Sequence, residues 1–192
     1  PVIKIEGGDE PTVTTAHGKV KAKQVIIAGN CYLEKAAPAL EKKIMPAGTY
    51  VIATEPLGEA RANSLLPQGQ AVCDMRHILD YFRITKDHRL LFGGKTIYSG
   101  KDPKDIGKAM FQDMLKVFPQ LAGVNIDYAW GGHIDLAVNR MPHVGEYQEN
   151  VYFVQGFSGH GVVATHIAGR VLAEKVMGNS ERFDVWNQIK HH

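Results

Sequence analysis

The sequence predicts a mixed α+β fold. A largely antiparallel sheet with one flanking helix takes the middle of the chain, and separate strand and helix pieces take its ends. Three observations carry this reading. Short apolar stretches separated by turn residues run from the start to about Gly94. One strongly marked helix, with its own start and stop signals, follows at 102–119. An apolar run at 151–155 then leads through glycines into a closing helix at 161–177. The end pieces need not belong with the middle, and a domain inserted between two segments of another fits this order.

Val2–Glu6, Thr12–Thr15 and Lys19–Ala28 read as β-stretches, with Gly7-Gly8-Asp9 and Ala16-His17-Gly18 as the turns between them. The third feeds Gln24–Asn30, whose unbroken apolar run reads as a strand buried on both faces. Leu33–Lys43 reads as a short helix stopped by Pro46. Strands follow at Tyr50–Thr54, Ala71–Met75, Tyr81–Thr85 and Arg89–Gly93, and Lys86-Asp87-His88 is a hairpin connection that pairs the last two antiparallel. Asp102-Pro103-Lys104-Asp105 then offers an N-cap, a proline at the first helical position and an acidic first turn. Ile106, Met110, Met114 and Val117 recur at helical spacing until Pro119. Asn125–Trp130 and His133–Val138 read as two further strands, and Val151–Gln155 as a buried one. Ala164, Ala168, Val171, Leu172 and Lys175 share one face of the closing helix Gly161–Met177, with Gly178 as its C-cap.

At 192 residues, 44% hydrophobic and 22% charged, the composition is that of an ordinary globular chain, not a disordered, collagen-like or coiled-coil one. No apolar run is long enough to span a bilayer and no signal segment opens the chain, so no membrane partner is expected. Twenty-two basic and 20 acidic residues are interspersed at a net +2, which leaves no electrostatic footprint for nucleic acid. Cys31 and Cys73 lie far apart and fit two unpaired thiols in a reducing, cytoplasmic compartment. The nine histidines include no His-Glu-x-x-His and the cysteines have no ligand spacing, so no metal is expected. Pro1 stands where a natural chain would begin with Met, so the N-terminus is expected to be cut or processed.

The strongest local feature is Gln155-Gly156-Phe157-Ser158-Gly159-His160-Gly161-Val162-Val163, which joins a buried strand to a helix through three glycines. Such a turn lets backbone approach a ligand and aims the free N–H groups of a helix start at negative charge. The nucleophile elbow Gly-x-Ser-x-Gly does not fit, because His160 takes the fifth position and the glycine comes one residue late. A glycine-rich connection needed only for close strand–helix packing remains the alternative. Ala28-Gly29-Asn30 ends the apolar strand, where open α/β sheets place their ligands. Trp130-Gly131-Gly132 offers either a wall for a planar ligand or an ordinary core tryptophan.

Taken in order, Val25–Asn30, Tyr81-Phe82-Arg83, His88–Gly94, Phe118-Pro119-Gln120-Leu121, Trp130-Gly131-Gly132, Met141–Gly145 and Gly156–Gly161 resemble the later part of the FAD-dependent D-amino-acid oxidase and glycine oxidase superfamily. Thr49–Leu57 and Trp130–Asp135 resemble its bacterial gamma-glutamylputrescine oxidase branch. The resemblance implies the later strands and closing helix of a Rossmann-like FAD domain at 1–45 and 146–192, around a substrate-binding domain at 46–145. It implies that Ser158–Val162, with Gly156, lie against the flavin, Gly159, His160 and Gly161 among them. It places Ala28 and Gly29 on the cofactor's other side and makes Tyr81 and Trp130 substrate-facing aromatics. The implied chemistry is oxidation of an amine C–N bond to an imine and then an aldehyde, with electrons passed to oxygen and no protein nucleophile.

Two departures sharpen this. In the amino-acid oxidases of the superfamily an arginine shortly after Trp-x-Gly grips the substrate carboxylate, and here that position is Ile134. This favours an amine whose carboxylate is remote. The Gly-x-Gly-x-x-Gly turn that grips the FAD pyrophosphate is missing, so the chain is expected to be the later part of a longer flavoenzyme and to bind FAD weakly or not at all by itself. No cysteine lies near Trp130 or Gly156, and a noncovalent flavin is expected. A flavin-dependent amine dehydrogenase using another acceptor and a non-catalytic α+β interaction module remain as alternatives.

Overall fold

The computed structural model describes residues 1–191. They form eleven strands, β1 (Val2–Glu6), β2 (Thr12–Thr15), β3 (Gly18–Lys21), β4 (Val25–Ile27), β5 (Ile44–Thr54), β6 (Val72–Cys73), β7 (Tyr81–Ile84), β8 (Leu90–Ile97), β9 (Ile126–Ala137), β10 (His143–Gln148) and β11 (Val151–Gln155). The five α-helices are α1 (Pro38–Glu41), α2 (Glu59–Leu65), α3 (Ile106–Val117), α4 (Gly161–Val176) and α5 (Glu181–Asn187). This is the mixed α+β class the sequence predicts. Among the described residues no helix is long and apolar enough to cross a membrane.

The chain divides into two compact units, Pro1–Pro46 with Ile134 onward, and Ala47–His133. In the first unit β1, β2 and β3 form an antiparallel meander, and β10, β11 and β4 a second sheet in that order. Strand β11 is antiparallel to β10 and parallel to β4, with Tyr152 opposite Ile26. Alternation along β11 feeds two cores. Val151 and Phe153 pack with Ile5, Ile27 and Leu40 on one face, and Tyr152 packs with Val144, Ala168, Val171, Leu172 and Phe183 on the other. Helix α4 therefore covers the second face through the residues its 3.6-residue period predicts.

In the second unit the order is β6-β7-β8-β5-β9. Phe82, Phe92 and Ile52 lie opposite one another across three strands. They share a core with Tyr50, with Met110 and Met114 of α3, and with Phe118 and Leu121. The Phe82 ring stacks on Phe92 at 5.9 Å and meets Phe118 edge-on at 4.9 Å. The α3 methionines are core residues.

Several elements differ from the sequence reading. The stretch Lys19–Ala28 is two strands, β3 and β4, broken at 22–24. Only α1 is helical within Leu33–Lys43, because Pro38 is confined to a first helical position, and β5 begins before Pro46. The two strands expected at Asn125–Val138 are one 12-residue strand. It runs through Gly131 because a side chain there would sit 2.6 Å from the Tyr50 ring, so the glycine serves packing and not a turn. The expected boundary at 145/146 falls at 133/134, within β9, because β10 pairs with β11. Ile26 of the strand expected to be buried on both faces is 48% exposed.

Candidate flavin-facing site

Strand β11 delivers the chain at Gln155, and helix α4 resumes at Gly161. Between them Gly156 (φ 75°), Ser158 (φ 54°) and Gly159 (φ 86°) adopt left-handed backbone. For Ser158 that conformation costs about 1 kcal/mol, offset by its own hydrogen bonds. Its buried hydroxyl accepts from the Ala137 N–H at 3.1 Å and donates to the Gly156 carbonyl at 3.2 Å. Its N–H donates to the Asp135 carbonyl at 2.9 Å.

Asp135, at the end of β9, is the second anchor. The residue is only 4% exposed, and its carboxylate accepts from the Gly156 N–H at 2.5 Å and the Phe157 N–H at 3.2 Å. Burial pushes this carboxyl above the usual carboxylate range, and the two N–H donors oppose the shift without cancelling it. The half-buried Cys31 thiol is raised too, chiefly by burial, with the Asp135 charge adding to it.

Helix α4 starts at His160 with no side-chain cap, which leaves its first N–H groups for a ligand or solvent. The His160 ring nitrogen Nδ1 lies 3.2 Å from the Ser158 carbonyl. Beside this helix start is a cavity of about 530 Å³, lined by Ile26, Ala28 and Asn30 from the β4 end, Ile134 and Asp135 from β9, Val154, Phe157 and Gly159, and Gly161, Val162, Thr165, Gly169 and Leu172 of α4. Gly161, Thr165 and Gly169 repeat every four residues, so the helix turns a side of small residues to the cavity. Its walls are largely apolar, with convergent polar groups at the helix start, the usual character of a cofactor site.

The structure thus gathers Ala28, Gly159, Gly161 and Val162 on one cavity. Gly156, Ser158 and His160 are not among the residues that line it: the first two are the anchored part of the turn, and His160 is the N-cap of α4. Gly29 instead lines a second cavity of about 520 Å³, which it shares with Ala28, Tyr32 and Leu33. Ile134 faces the first cavity, and a Cβ at Gly159 would lie 3.5 Å from its Cδ1. Sequence reasoning missed Asp135, Phe157, Thr165 and Gly169. A lone aspartate in a strand carries no sign that its carboxylate is buried on backbone amides.

Tyr81 and Trp130 belong to the second unit. Ala129 and Gly131 face α3 and the Tyr50 ring, so alternation puts Trp130, 46% exposed, on the other face of the five-stranded sheet. Tyr81 lies opposite Gly93, whose missing side chain makes room for its ring, on that same face. The two aromatics share a face with β8 and β5 between their strands.

The model of the FAD dependent oxidoreductase family, DAO, matches residues 1–175. A relative named gamma-glutamylputrescine oxidoreductase, from Escherichia coli (strain K12), is 47% identical over 192 residues, 100% of this chain and 45% of its own length. A probable oxidoreductase OrdL of Haemophilus influenzae is 41% identical over 182 residues, 93% of this chain and 41% of its own. The chain therefore spans less than half the length of these curated relatives. Glycine oxidase from Bacillus cereus superposes with a TM-score of 0.74 over 94% of this chain and 50% of its own, at 18% identity, which shows a shared fold.

Proposed function

The chain belongs to the DAO family of FAD-dependent oxidoreductases, and from that premise we propose that it is the later part of a flavoenzyme that oxidises an amine of the gamma-glutamylputrescine kind to an imine, which hydrolyses to an aldehyde. The observation that carries the reading is the turn at 156–160, pinned by Asp135 and Ser158 beside an apolar cavity with an uncapped helix start. That arrangement fits a flat aromatic ring with hydrogen-bond acceptors on one edge. Gly159, Gly161 and Val162 of the turn and helix, with Ala28 opposite, would hold the ring, and the α4 N-terminus would favour negative charge at its acceptor edge. When bound, the flavin supplies the redox chemistry by taking a hydride equivalent from the C–H beside the amine nitrogen.

The chain's own part is to position, exclude water and select. Ile134, at the spot where amino-acid oxidases of this superfamily resemble one another in an arginine, presents a hydrocarbon wall to the cavity. A carboxylate next to the reacting carbon would be desolvated there without a partner, at a cost of several kcal/mol. An amine with a distant carboxylate, or none, escapes that cost. Tyr81 and Trp130, which share one face of the five-stranded sheet, are the proposed substrate-facing aromatics. The relative named gamma-glutamylputrescine oxidoreductase supports the same substrate class. Oxygen is the proposed acceptor and the flavin is noncovalent. The free thiols of Cys31 and Cys73 suit a cytoplasmic setting.

The test is a deamination assay on the full-length gene product with gamma-glutamylputrescine, glycine and D-alanine as alternatives, reading hydrogen peroxide. The expected outcome is turnover of the first with peroxide released. Strong glycine turnover would overturn the substrate assignment, and product without peroxide would overturn the acceptor.

A further inference from the structure

We propose that Asp135 is a positioning residue of the flavin site, fixing the turn that carries the cofactor-facing backbone and placing one negative charge at the cavity wall. The proposal rests on the cavity being the flavin site. Three observations carry it. The residue is almost wholly buried, yet it is one of those that line the cavity. Both its oxygens are committed to backbone, Oδ2 to Gly156 and Oδ1 to Phe157, and its own carbonyl accepts from Ser158, so one residue holds three successive amides of the turn. Among the described residues it forms no ion pair, and the groups that oppose the effect of burial on its carboxyl are backbone amides, its own among them.

A carboxylate in such a place is expensive, and an apolar residue would cost the fold less. What the charge adds is a stronger grip, since a hydrogen bond to an ionised acceptor is roughly twice as strong as a neutral one. It also adds a fixed electrostatic potential. The α4 N-terminus favours negative charge on a ligand in the cavity, and Asp135 opposes it, so the two together set how readily a bound ring accepts electrons. Removing the charge while keeping the shape must therefore move the flavin's potential toward positive values, an effect that a merely structural residue would not have.

Two measurements decide this, using D135N, which keeps the shape and one acceptor, and D135A, which keeps neither. In the 192-residue chain, amide hydrogen exchange at Gly156 and Phe157 is expected to be about tenfold faster in D135A, with D135N between it and the parent. Unchanged exchange would overturn the clamp. In the flavin-loaded full-length gene product, D135N is expected to show a more positive midpoint potential. D135N keeps the question answerable if D135A does not fold. An unchanged potential in flavin-loaded D135N overturns this proposal alone, whereas a gene product that carries no flavin overturns the functional reading and this proposal with it.

Discussion

At His143 the fold spends stability on keeping an imidazole neutral. Its ring lies edge-on to Phe153 at 4.6 Å and stacked on His191 at 3.9 Å. Burial lowers its pKa from 6.5 to about 4, and the charges of His191 and Lys43 push the same way. The unfolded chain therefore binds a proton that the folded chain refuses. Stability from this residue is complete above about pH 6.5 and is lost as pH falls through about 4. The slope is at most about 1.4 kcal/mol per pH unit. Phenylalanine keeps the ring contacts and cannot titrate, so H143F is expected to flatten the decline of the urea midpoint across that window. A variant that declines as steeply as the parent would show that another group sets the acid limit.

Helix α3 allows a similar separation of roles at the level of the element. The sequence reading makes Asp102 the N-cap, Pro103 the first helical residue and Asp105 part of an acidic first turn, and the structure corrects it, since α3 begins only at Ile106. Asp105 is the N-cap and accepts from the Lys108 N–H at 2.8 Å, while Asp102 accepts from the Tyr50 hydroxyl at 2.7 Å. Burial of the ring raises the Tyr50 ionisation from 10 to about 12, and the Asp102 carboxylate adds to it. Losing the cap in D105A is expected to cost about 1 kcal/mol in thermal or urea unfolding and to leave the tyrosine titration in place. D102A keeps the cap and brings the Tyr50 titration part of the way back toward 10, read by ultraviolet titration. Exchanged outcomes would mean that the two roles are assigned the wrong way round. Because Tyr50 ionises higher when folded, its contribution is present below about pH 10 and fades as pH rises through about 12. The same contrast explains what the sequence made legible. Helix α3 was readable because its period and Pro119 are local, although its cap is Asp105 and not the expected Asp102. So was the closing helix, where Gly178 (φ 93°) donates to the Lys175 carbonyl and the Asn179 N–H to that of Glu174. Helices α2 and α5 were missed because neither has a capping side-chain bond and each buries a single residue, Ala62 or Phe183. The continuity of β9 depends on the Tyr50 ring from another strand, which no local pattern announces. At the candidate site the glycines were visible and Asp135 was not, since its partners are backbone amides 21 and 22 positions away.

On the scale of the whole molecule, β4 raises the largest question. Parallel strands ordinarily lie inside a sheet with both faces covered. Among the described residues β4 pairs only with β11, and Ile26 at its centre is 48% exposed. Both cavities, about 520 and 530 Å³, open on β4 residues, and Val162 at the start of α4 is 85% exposed. The proposed ring site would be built by backbone held from β9. The other half of FAD carries a pyrophosphate, which needs a cluster of backbone N–H groups at a glycine-rich helix start. These 192 residues contain no Gly-x-Gly-x-x-Gly to supply one. With only the ring contacts, the cofactor must leave two negative charges unsatisfied or in solvent, and affinity falls accordingly. The expected result is that the 192-residue chain, mixed with FAD and then desalted, keeps little flavin absorbance, whereas the full-length gene product purifies yellow. Stoichiometric flavin on the desalted chain would mean that the cavity beside α4 binds far more of the cofactor than its ring, and that the pyrophosphate finds its donors in the turn Asp135 holds.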